Sequence, residues 1–131
     1  MSNIYTWPKN TVIRLIKLKG YKFENDQFKL TKFGLLMLKK SFTWNGCSPK
    51  IVVFGMVFGT PEGVIDESTG ESKTKVASGV HDLLLTYKKE LKKIGITKKK
   101  IDQEFYCQLK KTGFESARLY YRAVRLLGFL F

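Results

Sequence analysis

The chain has 131 residues, 44% of them hydrophobic and 14% aromatic, and its 24 lysines and arginines against 11 aspartates and glutamates give a formal net charge of +13. That length fits one domain with a sizeable core, and the apolar content argues against disorder. No run approaches the roughly 20 apolar residues that a membrane-spanning helix needs, so a transmembrane protein is not expected.

The charge points to an anionic partner: nucleic acid, a phospholipid surface or an acidic protein. Solubility alone is the competing reading. The N-terminal M-S-N-I-Y-T-W-P-K-N lacks a basic flank followed by an apolar run, so no secretory signal is expected. Cys47 and Cys107 lie far apart and read as reduced thiols in an intracellular protein, with a bridge left open.

Residues 1–63 read as β-rich. Thr11 to Lys19 is β-branched and roughly alternating, which predicts a strand. Tyr21–Phe23 and Phe28–Leu30 flank an Asn25-Asp26 turn and predict a hairpin. Leu35–Leu38 predicts another short strand, and the apolar run Ile51 to Phe58, with Gly55 inside it, a buried strand or a close backbone approach. Trp44–Lys50 and Gly59–Gly63 carry turn chemistry, and residues 64–75 form a polar loop.

Residues 76–131 read as three helices. In Val76 to Lys93, the residues Val76, Val80, Leu83, Leu84, Tyr87 and Leu91 fall on one apolar face, and Gly95 ends the helix. Thr97 caps the next, whose stripe is Ile101, Phe105 and Leu109, with Lys110 and Lys111 in its last turn and Gly113 as its stop. Ser116 to Leu127 is the third, with Leu119, Tyr120, Ala123, Val124 and Leu127 inward. Its Arg118, Arg122 and Arg125 recur at i, i+4 and i+7 and form a basic stripe, either a face for an anionic partner or simply solvated. The order predicts a single α+β domain over residues 1–131: antiparallel hairpins and strands, then three packed helices.

His81 is the only histidine. If the first two helices pack antiparallel across the short Ile94–Thr97 connection, Asp102 approaches it. A carboxylate accepting one ring proton fixes the tautomer and leaves the other nitrogen as a base that could activate water. Asp82, pointing in a neighbouring direction, could bind a hard cation such as calcium together with carbonyls of a glycine-containing loop. The alternative is a buried His–Asp hydrogen bond that fixes helix packing. One histidine and two distant cysteines do not make a zinc site. A Ser48–His81–Asp102 triad lacks the strained elbow around its serine, and no phosphate-cradling glycine loop is present.

Five segments occur in order: W-N-G-C-S-P-K at Trp44–Lys50, F-G-T-P-E-G at Phe58–Gly63, A-S-G-V-H-D-L-L at Ala77–Leu84, I-D-Q-E-F-Y-C-Q-L at Ile101–Leu109 and A-R-L-Y-Y-R-A-V-R-L-L-G at Ala117–Gly128. From about Phe42 onward the chain thereby resembles a family of small, mostly bacteriophage-encoded domains of unknown function, family thirteen fifty-three. The resemblance implies a phage origin, in the virion or the host cytoplasm, and no established activity. The His-Asp pair followed by Asp102 and Phe105 on the next helix is also similar to the phospholipase A-two pattern, in the short form found in parvovirus capsid proteins. That similarity implies His81 as base, Asp102 as its orienter and Asp82 as calcium carboxylate. A glycine loop, Asn45, Gly46 and Cys47 or else Gly59–Gly63, would complete the calcium site. The functions to be weighed are a calcium-dependent ester or lipid hydrolase, a non-enzymatic virion or accessory protein meeting nucleic acid or an acidic partner, and an inhibitor of a host factor.

Overall fold

The computed structural model describes residues 4–45, 51–53, 56–58, 75–113 and 117–126. Its elements in chain order are β1 (Ile4–Trp7), β2 (Val12–Arg14), a 3-10 turn (Ile16–Leu18), β3 (Phe23–Glu24), β4 (Phe28–Leu30), β5 (Leu35–Leu38), β6 (Phe42–Asn45), β7 (Ile51–Val53), β8 (Met56–Phe58), α1 (Lys75–Thr86), α2 (Lys88–Lys92), α3 (Lys98–Lys111) and α4 (Ala117–Leu126). All strand pairs are antiparallel: β2-β5-β4-β3 form one sheet, β1-β6 a two-stranded ribbon and β7-β8 a hairpin. The fold is α+β.

The β3–β4 hairpin closes as its sequence predicts. The Asn25 side-chain oxygen accepts from the backbone N–H of Gln27 at 2.8 Å and of Phe28 at 2.9 Å, a local turn that aspartate and asparagine favour. Phe28, Leu30, Leu36 and Leu38 then alternate inward with no exposed surface beyond 1%. They meet Val80, Leu83, Leu84 and Leu91 from the helices in one core.

Three expectations are corrected. The strand expected over Thr11–Lys19 stops at Arg14, because Leu15 and Leu18 are both drawn into the core. A spacing of three suits a 3-10 turn and not a pleated strand. Ile51–Phe58 is not one strand: Val53 pairs with Met56, so the run folds back on itself. The helix expected over Val76–Lys93 is two, broken at Tyr87, whose φ of −111° and ψ of 24° leave the helical region. Its ring packs edge-on against Phe28 at 5.6 Å, and Thr86 Oγ1 turns back to donate to the Asp82 carbonyl, a bond that bends helices. Among the described residues, three expected helices are therefore four.

Gly95 ends α2 at φ +93°. Its N–H donates to the Lys92 carbonyl at 3.0 Å and that of Ile96 to Leu91 at 3.0 Å, the paired bonds of a Schellman stop. Thr97 then caps α3 by accepting from the Lys100 N–H. The sharp turn fixed between these two caps sets the N-terminus of α3 beside α2. The ribbon β1-β6 lies on α1 through its indoles: Trp44 Nε1 donates to Ser78 Oγ at 2.8 Å, and Trp7 and Trp44 crowd Gly79.

Candidate functional site

Helix α1 packs on α3, and α3 on α4. Those two interfaces bring four chemically distinct side chains to one point. His81 Nε2 lies 2.8 Å from Asp102 Oδ1. The other carboxylate oxygen, Oδ2, accepts from Lys98 Nζ at 2.7 Å and from Arg125 Nη1 at 3.0 Å. Lys98, one turn before Asp102 on the same helix, also donates to the Val124 carbonyl at 3.0 Å and so ties α3 to α4. The Phe105 ring closes over the imidazole at a centroid distance of 4.6 Å.

The protonation states follow. Burial pushes the His81 pKa below its ordinary value, and the Asp102 hydrogen bond opposes this without reversing it. For Asp102, burial alone would raise the pKa, but hydrogen bonds from His81 and Lys98 outweigh it and hold the carboxyl below its ordinary range. An ionised carboxylate only accepts, so the neutral imidazole carries its proton on Nε2. Nδ1 is then a lone pair, buried and, among the described residues, without a hydrogen-bond partner. His81 has no exposed surface at all.

Asp82, at the next position, is only half-buried, and burial pushes its pKa up to about 7. Among the described residues no group of three or more histidine, cysteine, aspartate or glutamate side chains gathers as a metal site. Of the expected calcium ligands, Asn45 ends β6, while Gly46 and Cys47 lie outside the described residues, as do Ser48 and Gly59–Gly63. Cys107 is a free, half-buried thiol.

The arginine stripe on α4 divides. Arg118, Arg122 and Arg125 are all exposed, but Arg125 also reaches Asp102. Leu119, expected inward, is exposed, because α4 meets α3 through Ala117, Tyr121 and Val124 instead.

The residues that sequence reasoning passed over are cations. Lys88, Lys89 and Lys92 of α2, Thr97, Lys98 and Lys99 at the start of α3, and Arg125 of α4 line a cleft of about 690 Å³. The signal was present: residues 88–100 hold seven lysines and one glutamate. Three of those lysines, Lys98, Lys99 and Lys100, occupy the first turn of α3, with no acidic residue among them. The positive end of a helix dipole disfavours cations there, by about 0.3–1 kcal/mol each when exposed. Asp102 relieves Lys98 and the Tyr21 ring lies 5.5 Å from Lys100, while Lys99 stays exposed.

Glu104 was also passed over. It is buried, accepts from the Lys17 N–H and from Gln108 Nε2, both at 2.8 Å, and Gln108 reaches on to the Arg14 carbonyl. This chain of bonds fastens the 3-10 turn to α3. Comparison of the chain with protein-family models, with curated proteins and with solved structures returns no match.

Proposed function

We propose that the protein binds phosphate-rich polyanions, nucleic acid first among them, through the cleft between α2, α3 and α4. One observation carries the reading: six cations line that cleft and no carboxylate does, among the described residues. Lys99, exposed at the positive end of α3, shares the cleft with the exposed Lys89 and Lys92, and both its own helix end and their like charge disfavour it there in the free protein. A phosphate backbone relieves that repulsion and releases its own counterions. In this reading the His81–Asp102 pair is a positioning network. Asp102 holds Lys98 and Arg125 at the cleft wall, and His81 holds Asp102 from behind. The resemblance to phage-encoded domains suits such a role in a virion or in the host cytoplasm.

The test is fluorescence anisotropy with labelled DNA between 50 and 200 mM salt. The logarithm of affinity is expected to fall linearly with that of salt. Reversing Lys89, Lys92 and Lys99 to glutamate together should lower the slope by about 3, at about 0.9 for each phosphate no longer neutralised. No binding at 50 mM salt, or an unchanged slope in the triple variant, would sink the reading. Tighter binding to anionic vesicles than to DNA at matched salt would move it to a membrane surface.

A second reading, a calcium-dependent ester hydrolase with a phospholipase-like core, draws on the Nδ1 of His81, which has no partner among the described residues, and on the adjacent Asp82. It requires the covered imidazole to open toward a substrate. Fatty-acid release from phosphatidylglycerol vesicles in millimolar calcium, abolished by His81→Gln, would establish it.

A further inference from the structure

The face of α3 that begins at the cleft continues into a second, different pocket. Lys99, Gln103, Tyr106 and Lys110 follow one another at i, i+4, i+7 and i+11, a single stripe along the helix. At about 1.5 Å per residue the stripe is about 16 Å long. Helix α4 runs antiparallel beside it, since Arg125 meets Asp102 and Tyr121 meets Tyr106. Arg125 accordingly belongs to the cleft, while Tyr121, one turn earlier, belongs to the second pocket.

That pocket, of about 280 Å³, is lined by Lys17, Gln103, Tyr106, Cys107, Lys110 and Tyr121. The two phenol rings stand 5.1 Å apart at 53°, and both are half-buried. The Lys110 ammonium lies 5.0 Å from the centre of the Tyr106 ring. Lys17 and Lys110 thus share the pocket with two half-buried phenol rings and with the Gln103 amide, which can both donate and accept. Its composition differs from that of the cleft, in which no aromatic side chain takes part among the described residues.

We infer that the polyanion is a single-stranded nucleic acid lying along the α3–α4 seam, with phosphates at Lys98, Lys99 and Arg125 and a splayed base in the Tyr106–Tyr121 pocket. This rests on the reading of the cleft given above and adds the strandedness. A duplex turns its base faces inward and cannot lay one on these half-buried rings, whereas an unpaired base stacks on any aromatic face. The next phosphate along the strand meets Lys110 and Lys17. Pairing with it draws the Lys110 ammonium off the Tyr106 ring and leaves that face to the base.

The experiment compares four labelled or competing polyanions at one salt concentration: a dT oligomer, an rU oligomer, a duplex of equal length and inorganic polyphosphate, which has no bases. Either or both oligomers are expected to bind more tightly than the duplex and polyphosphate, and the pair shows which sugar is preferred. Tyr106→Leu should weaken oligomer binding about 5- to 150-fold and leave polyphosphate unchanged, whereas Tyr106→Phe should keep the affinity. On the unaltered protein, the favoured oligomer should slow alkylation of Cys107, read by mass spectrometry at that residue, and the duplex should not. Equal affinity for all four, with Cys107 unprotected and a steep salt dependence intact, overturns the single-strand inference and leaves the cleft standing. Failure of every polyanion to bind overturns both.

Discussion

Neighbouring residues on α1 carry opposite pH dependences. Asp82 has a folded-state pKa of about 7, raised by burial from 3.8. Its contribution to stability is therefore fully present below pH 3.8 and is lost as pH rises through about 7. One pKa unit corresponds to about 1.4 kcal/mol. Asp82→Asn should be more stable than the parent by a margin that grows from pH 4 to 7 and then levels off, as urea unfolding at each pH would show. A margin independent of pH would contradict the buried carboxyl. His81 works the other way: its pKa is depressed by burial below 6.5, so it contributes stability at neutral pH that is lost as the solution is acidified below about 6.5. His81→Gln should remove that acid-side loss while leaving the Asp82 slope in place. Asp102 holds the network. Asp102→Asn leaves two cations without their carboxylate, and breaking a buried ion pair costs about 3–5 kcal/mol. The lower end is expected, because the Lys98 and Arg125 side chains are 23% and 37% exposed and stay partly hydrated. Thermal unfolding of the variant would measure it.

Among the elements, α1 depends on a missing side chain. A Cβ on Gly79 would stand 2.5 Å from Trp7 and 2.7 Å from Trp44. Alanine gains about 1 kcal/mol over glycine in a helix interior, while overpacking a filled core costs about 1–3 kcal/mol. Gly79→Ala should therefore be neutral to destabilising, against the usual direction for this exchange. Trp7 and Trp44 are the only tryptophans in the chain, so their emission reports the displaced ribbon directly. A clear gain in stability would mean that β1-β6 does not press on α1. The caps of α2 and α3 were legible beforehand, since Gly95 and Thr97 act through local backbone geometry. The break at Tyr87 was not, because the ring contact that accompanies it joins Tyr87 to Phe28, far away in sequence.

For the whole molecule, a net charge of +13 means self-repulsion in the compact state. Between about 0.01 M and 1 M salt the screening length falls from about 30 Å to about 3 Å. The melting temperature should rise over this range, while binding to the nucleic acid proposed as partner should weaken, opposite responses from one cause. A melting temperature that drops with salt would mean that attractive ion pairs outweigh the repulsion.

The sequence by itself determined the α+β order, the hairpin at Asn25, the two helix caps and the approach of Asp102 to the lone histidine. Each follows from local chemistry or from the short Ile94–Thr97 connection, which turns the chain back on itself. Only the tertiary structure decided that the imidazole is wholly covered, that Arg125 leaves its stripe to share a carboxylate with Lys98, and that lysines from two helices face one cleft. Periodicity gives the direction of a side chain around its own helix. What stands opposite depends on how helices separated in the chain are set against one another, and that is fixed by the packing of the core.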